Sequence, residues 1–429
     1  MLSTMRSRVL RPVLVLLAVA CPLAGAALGA RPAAGATPAA GLAGIRAAEM
    51  PALQQIDVPA AWPASQGKGV TVAVLDGGVD ATAPDLAGQV ITGPDYERGA
   101  DPADGRLPLQ HGTYVASLIA GHGRGRGDAM GVIGVAPQAR ILSIRVTADA
   151  DALGEGIDAA VADHARVINI SLAVPRASAG LRRAVAYAIS SGVVVVASAG
   201  DSGTASAFAP YLYPAAFPGV IAVAAVNSAG ARASFSQQNS SVVVAAPGVD
   251  VVGAAPGGQY VDQDGTSASA ALVSGVAALI LARYPHLAPS AVAQAIADTT
   301  SHQPAGGYSV DTGSGEVDAA AALAYAAQDA DGPGGVDVSG PGGRPIVTIP
   351  LPGLSATVGG RTRLARSLPP IVVNRRDETR IIGYGLIATV AAVLAAIAIA
   401  TMIVFTRRPR PRPAGLELAN MPPGDDLIS

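Results

Sequence analysis

Four short, mostly apolar runs rich in β-branched residues constrain this chain more than any other feature: residues 70–75 (Val-Thr-Val-Ala-Val-Leu), 141–146, 167–172 and 193–197. Each is short for a helix and too apolar for a strand with one wet face, which is the pattern of strands buried on both sides of a parallel sheet. Residues 152–164 and 181–191 place Ala, Leu, Val and Ile at three- and four-residue spacing, the period of a helix with one buried face. Alternating strand and helix predicts an α/β fold, a parallel sheet sandwiched by helices. In such sheets the chemistry gathers beyond the carboxyl ends of the strands.

The ends of the chain read differently. A mean hydropathy of +0.40 is high for a soluble enzyme, while 51 Gly and 33 Pro are too many turn formers for a membrane bundle. A mixture is implied. Residues 1–36 carry Arg6, Arg8 and Arg11, an apolar run, and then Ala34-Gly35-Ala36, the pattern of a secretory leader or, if uncleaved, of an N-terminal anchor. The single cysteine, Cys21, falls inside it, so no intramolecular disulfide and no cysteine metal site can form. Residues 37–60 form a short extension and 61–327 the globular domain. Residues 328–380 are a Pro/Gly-rich tether. Residues 381–405 are uncharged and long enough to cross a bilayer as one C-terminal transmembrane helix. Arg407, Arg408, Arg410 and Arg412 follow, which leaves the tail, 406–429, in the cytoplasm. The expected location is the cell membrane, single-pass, with the domain extracytoplasmic and the lipid bilayer as one partner. A net charge of -2 gives no footprint for nucleic acid.

Within the domain, Asp76 follows the first strand and is itself followed by Gly77-Gly78. His111-Gly112-Thr113 opens the helical run 114–120, and Gly265-Thr266-Ser267 opens another, 268–281. An acid, an imidazole and a serine at such positions are what nucleophilic acyl transfer requires. The imidazole takes the serine proton during attack, and the acid fixes the imidazole tautomer and offsets its charge. Singly, the Asp could be a turn former and the Ser a helix cap.

Five motifs in order, Leu75-Asp-Gly-Gly-Val-Asp80, His111-Gly-Thr-Tyr-Val-Ala-Ser117, Gly134-Val-Ala-Pro137, Ile168-Asn-Ile-Ser-Leu172 and Gly265-Thr-Ser-Ala-Ser269, resemble the subtilisin-like serine protease family. The resemblance implies that Asp76 orients, His111 acts as general base and then acid, and Ser267 is the nucleophile. The leader, short extension, tether and single span are similar to the mycosins, the membrane-anchored subtilases associated with type VII secretion, and so is Gly313-Ser-Gly-Glu-Val-Asp318. The partners implied are a peptide or protein substrate, such as a secreted protein, and a membrane secretion complex.

The chain departs from the family pattern at Asp201, where an asparagine donates to the tetrahedral oxyanion; the other donor implied is the N–H of Ser267. An ionised Asp201 cannot donate and repels the developing charge, whereas a protonated one donates. Gln110 and Ala271 stand where glycine and proline are usual, and Gln110 matters if its backbone needs a positive φ. The resemblance further implies that Ser171, Leu172 and Ala173 align an extended peptide, that Ala199 and Gly200 line the first specificity pocket, and that Leu212 fills its floor and selects small residues. No metal or other cofactor is expected. Calcium is the alternative, on Asp80, Asp85, Asp95, Asp101 and Asp104. The function expected is a serine endopeptidase, with a weakly active or inactive protease-like scaffold as its rival and an esterase as a remote third.

Overall fold

The computed structural model describes residues 31–32, 38–96, 109–203 and 211–330. The expected span at 381–405 and the tail lie outside the described residues, as do nearly all of the leader and tether. In chain order the elements are β1 (Arg31–Pro32), helices α1 (Pro38–Gln55) and α2 (Val58–Ala61), strands β2 (Thr71–Asp76) and β3 (Val90–Asp95), and helix α3 (Leu109–Ala120). A hairpin of β4 (His122–Arg124) and β5 (Met130–Ile133) follows, then β6 (Arg140–Arg145), α4 (Ala150–Ala162), β7 (Val167–Ile170) and α5 (Ala179–Ser190). Strands β8 (Val194–Ser198), β9 (Ile221–Val226) and β10 (Val242–Pro247) complete the main sheet. The pair β11 (Val251–Ala255) and β12 (Gln259–Gln263) leads into the long helix α6 (Thr266–Arg283), with α7 (Pro289–Asp298) and α8 (Ala319–Ala330) after it.

Seven parallel strands lie in the order β10-β9-β8-β7-β2-β6-β3. From β2 the chain builds one side of the sheet, with β6 and β3, then crosses back to lay β7 on the other side of β2 and continues outward. Directions therefore reverse between β2 and β7. Loops leave a crevice at such a switch point, outside the carboxyl ends of the two strands. Asp76 ends β2 there, and Ser171 follows β7.

Strand alternation divides the core. Val72 and Val74 face α3 and α6, while Ala73 and Leu75 face the layer of α4 and α5, as a period of two requires. Both faces are dry, so the strands carry few polar residues. Two helix starts carry side-chain caps: Asp149 accepts from the N–H of Asp151 and Ala152 at the head of α4, and Ser178 accepts from Leu181 N–H at α5. Helix α6 is buried from Thr266 through Leu281. It is the helix among the described residues long and apolar enough to cross a membrane, yet 89% of it is enclosed by the domain.

The segment expected as an extension, 37–60, is mostly α1 and α2, and it packs into the same core: Leu53, Ile56 and Val58 are buried against it. Helix α1 also grips the β4–β5 hairpin. Glu49 Oε2 accepts from Ile133 N–H at 2.8 Å and Arg46 Nε donates to Gly131 O at 3.0 Å.

Candidate active site

Asp76 is wholly buried at the tip of β2, where its Oδ1 accepts from Gly77 N–H at 2.7 Å. His111 lies in the first turn of α3, which begins at Leu109, upstream of the helical run expected at 114–120. Its Nδ1 stands 2.9 Å from Asp76 Oδ1 and 2.8 Å from Oδ2. With the carboxylate on Nδ1, the proton resides there and Nε2 is free to accept another. Close approach depends on Gly112: a Cβ at that position would collide with the carbonyl oxygen of Gly78. Gln110 sits inside α3 and is absent from the positive-φ residues, so the departure at 110 carries no backbone strain. Ala271 is likewise at home, wholly buried within α6.

Ser267 is the second residue of α6 and lines, with His111, Tyr114, Gln263 and Asp264, one small cleft of about 10 Å³. Its hydroxyl donates to Ser171 O at 3.3 Å. Its N–H belongs to the first helical turn, where amides lack intrahelical acceptors and attract negative charge. Burial pulls the His111 pKa down, but the ion pair and hydrogen bond with Asp76, and the charge of Asp201, outweigh it and leave the imidazole above its ordinary value.

Asp201 follows Gly200, which has a φ of 104°. Its Oδ1 accepts the N–H of Thr266 at 2.8 Å, and Thr266 Oγ1 accepts from Gly200 N–H at 3.1 Å. The carboxyl is therefore tied to the head of α6. Burial raises its pKa above the ordinary aspartate value; the bonds from Thr266 and the charge of His111 pull the other way and do not cancel it.

Beyond Ile170 the chain leaves the ladder, and among the described residues Ser171, Leu172 and Ala173 pair with no strand until Val174 exchanges both main-chain bonds with Tyr213 at 2.8 and 2.9 Å. That pairing brings the 212–213 segment beside Ser171–Ala173. Leu212 lies against Gly200, where an added Cβ would meet its Cδ1, and Ala199 is buried.

The acidic residues considered for calcium are engaged elsewhere. Asp85 is wholly buried; its oxygens take Arg124 Nε and Nη2, Tyr260 Oη and Val132 N–H. Asp80 accepts from Thr82 and from Gly257 N–H, and Asp95 pairs with Arg145 at 3.6 Å. Asp101 and Asp104 lie outside the described residues. Among the described residues no group of three or more His, Cys, Asp or Glu could hold a metal ion.

Sequence reading assigned no role to two buried polar residues behind the serine, Asn169 and Ser274. Asn169 stood in an apolar run, and Ser274 lies seven residues beyond Ser267, the spacing that returns to one helix face.

Known proteins are similar to this chain over more than half of its length. The description "Subtilase family" matches residues 67–332, more than half of the chain. Subtilisin from Bacillus pumilus is 39% identical over 247 residues, 54% of this chain and 84% of that protein. Subtilisin E from Bacillus subtilis (strain 168) is 39% identical over 247 residues and is spanned over 61% of its length. Among solved structures, MycP1 with the N-terminal propeptide removed is similar at a TM-score of 0.56 and 31% identity, covering 64% of this chain and 96% of that one. The MycP3 protease from the type VII (ESX-3) secretion system gives 0.52 and 32%, covering 64% and 87%.

Proposed function

The chain belongs to the subtilase family, whose members are serine endopeptidases, and from that premise we propose that Asp76, His111 and Ser267 hydrolyse peptide bonds through an acyl-enzyme. The observation that carries the reading is the 2.8 Å contact of His111 Nδ1 with a buried carboxylate, in the cleft that also holds Ser267.

Ser267 Oγ turns from Ser171 O toward His111 Nε2, gives up its proton and attacks the scissile carbonyl carbon. The tetrahedral oxyanion forms against the Ser267 N–H. The imidazolium, steadied by Asp76, then protonates the leaving amine, and water repeats the sequence to release the acid. An extended substrate adds its main chain to the Ser171–Ala173 segment, a form of β-augmentation, with its P1 side chain against a pocket that Leu212 shortens.

Two structural neighbours are named from the ESX-1 and ESX-3 type VII secretion systems. They support a place for this chain beside a membrane secretion complex, anchored by residues 381–405, with a secreted protein as substrate. Asp201 favours a second reading, a protease-like scaffold of low activity, because a carboxyl, where it ionises, has no proton to donate to the oxyanion. Labelling by a fluorophosphonate probe tests the choice: labelling lost in Ser267→Ala supports the enzyme, and no labelling of the wild type supports the scaffold.

A further inference from the structure

We propose that Asn169 and Ser274 are positioning residues that hold the nucleophile in attacking geometry through Ser171, a role resting on the protease reading above. Asn169 and Ser171 are two apart at the end of β7, so they point to the same side, and that side faces α6. Ser267 and Ser274 are seven apart, about two turns, so they share a face of the helix. The four meet in a buried chain of hydrogen bonds. Ser274 Oγ donates to Asn169 Oδ1 at 2.9 Å, Asn169 Nδ2 donates to Ser171 Oγ at 3.0 Å, and Ser171 Oγ donates to the main-chain O of Ser267 at 3.2 Å. Ser267 Oγ in turn donates to Ser171 O at 3.3 Å.

Asn169 and Ser274 are wholly buried, and Ser171 is 5% exposed. The direction of each bond is fixed by its neighbour. Ser267 O can only accept, so Ser171 Oγ spends its one proton there, Asn169 must face Ser171 with Nδ2 as donor, and Oδ1 is left to accept from Ser274. The nucleophile residue is thus gripped at its carbonyl from behind, while its hydroxyl rests on the carbonyl of the same Ser171. Without Asn169 the Ser171 hydroxyl is free to rotate, and the grip on Ser267 becomes one option among several. A misplacement of the order of 1 Å is enough to slow attack about 10²-fold.

The test uses the full-length protein and the variants Asn169→Ala, Ser171→Ala, Ser274→Ala, Ser171→Thr and Asn169→Ala/Ser171→Ala, with rates expressed per site titrated by a fluorophosphonate. Asn169→Ala is expected to lower kcat about 10- to 100-fold with KM within about twofold. The double variant should be no slower than the slower single one, and Ser171→Thr, which keeps the hydroxyl, should be faster than Ser171→Ala. Losses that multiply in the double variant, a change confined to KM, or an unaltered kcat would overturn the proposal. If Asn169→Ala does not fold, Ser274→Ala with Ser171→Ala forms the same cycle. A wild type that takes no label at Ser267 overturns the protease reading and this role together; a labelled wild type with indifferent variants overturns this role alone.

Discussion

Asp201 Oδ1 accepts the main-chain N–H of Thr266 at 2.8 Å, so a carboxyl fastens the head of the helix that carries Ser267. An asparagine can make the same bond through its own Oδ1 and place an N–H₂ where the second carboxyl oxygen now stands. Asp201→Asn should therefore keep the helix in place and add an oxyanion donor, raising kcat about 10²- to 10³-fold. The gain should be largest on the alkaline side, where Asp201 is ionised. The variant should also shift its acid limb to lower pH, because the Asp201 charge is one of the influences holding the His111 imidazolium above its ordinary pKa. Turnover of one peptide ester between about pH 5 and 9 measures both. Equal or lower turnover in Asp201→Asn at every pH would mean the carboxyl is not a defect.

Leu212 Cδ1 occupies the space over Gly200, and a side chain there would shorten the P1 pocket proposed above. The wild type should cleave after Ala faster than after Phe. Leu212→Gly should reverse that order, raising kcat/KM for P1 Phe by about tenfold or more, in line with the value of a few methylenes in an apolar pocket. A P1 peptide panel decides it. Faster wild-type cleavage after Phe would remove Leu212 from the pocket.

Arg124 meets the wholly buried Asp85 at 2.8 Å through Nη2, and the Asp85 oxygens are further occupied by Tyr260 and Val132. Truncation strands a buried charge, so Arg124→Ala should lose about 3–5 kcal/mol in urea unfolding. A chelator should leave the wild-type Tm unchanged. A Tm that falls with chelator and recovers with calcium would show that the acidic residues hold a cation after all.

What was legible in the sequence follows from how local each signal is. Strands β2, β6, β7 and β8 could be read because each is a short apolar run between turn formers, and Asp76, His111 and Ser267 because each breaks a glycine-rich turn. Strands β9 and β10 were not read: Ile-Ala-Val-Ala-Ala-Val fits a buried helix as well as a buried strand. Strand β7 ended two residues early because Ser171 and Leu172 leave the ladder. Asn169 was legible as part of a motif, but its partner Ser274 was not, because their contact exists only where α6 crosses β7. Asp85 looked like a cation ligand because Arg124, its partner, lies 39 residues away. Gln110 looked strained only while the start of α3 was unknown.

Glu49 carries the same lesson into a pH dependence. It is 1% exposed, its Oε2 accepts Ile133 N–H at 2.8 Å, and its buried Oε1 has no hydrogen-bond partner among the described residues. Burial holds this carboxyl well above the usual range; the Ile133 bond and Arg46 oppose that only in part. The folded state therefore keeps a proton that the unfolded chain releases once the pH passes about 4.5. Stability must then fall as pH rises from there toward the folded pKa, since the unfolded state gains by ionising and the folded state does not. Glu49→Gln keeps the volume and the acceptor for Ile133 but has no proton to exchange. Its stability should match the wild type near pH 4 and exceed it by about 1–3 kcal/mol near pH 7, read by urea unfolding across a pH series. Parallel curves, or a variant less stable at neutral pH, would show that Glu49 folds ionised and that Arg46 compensates it.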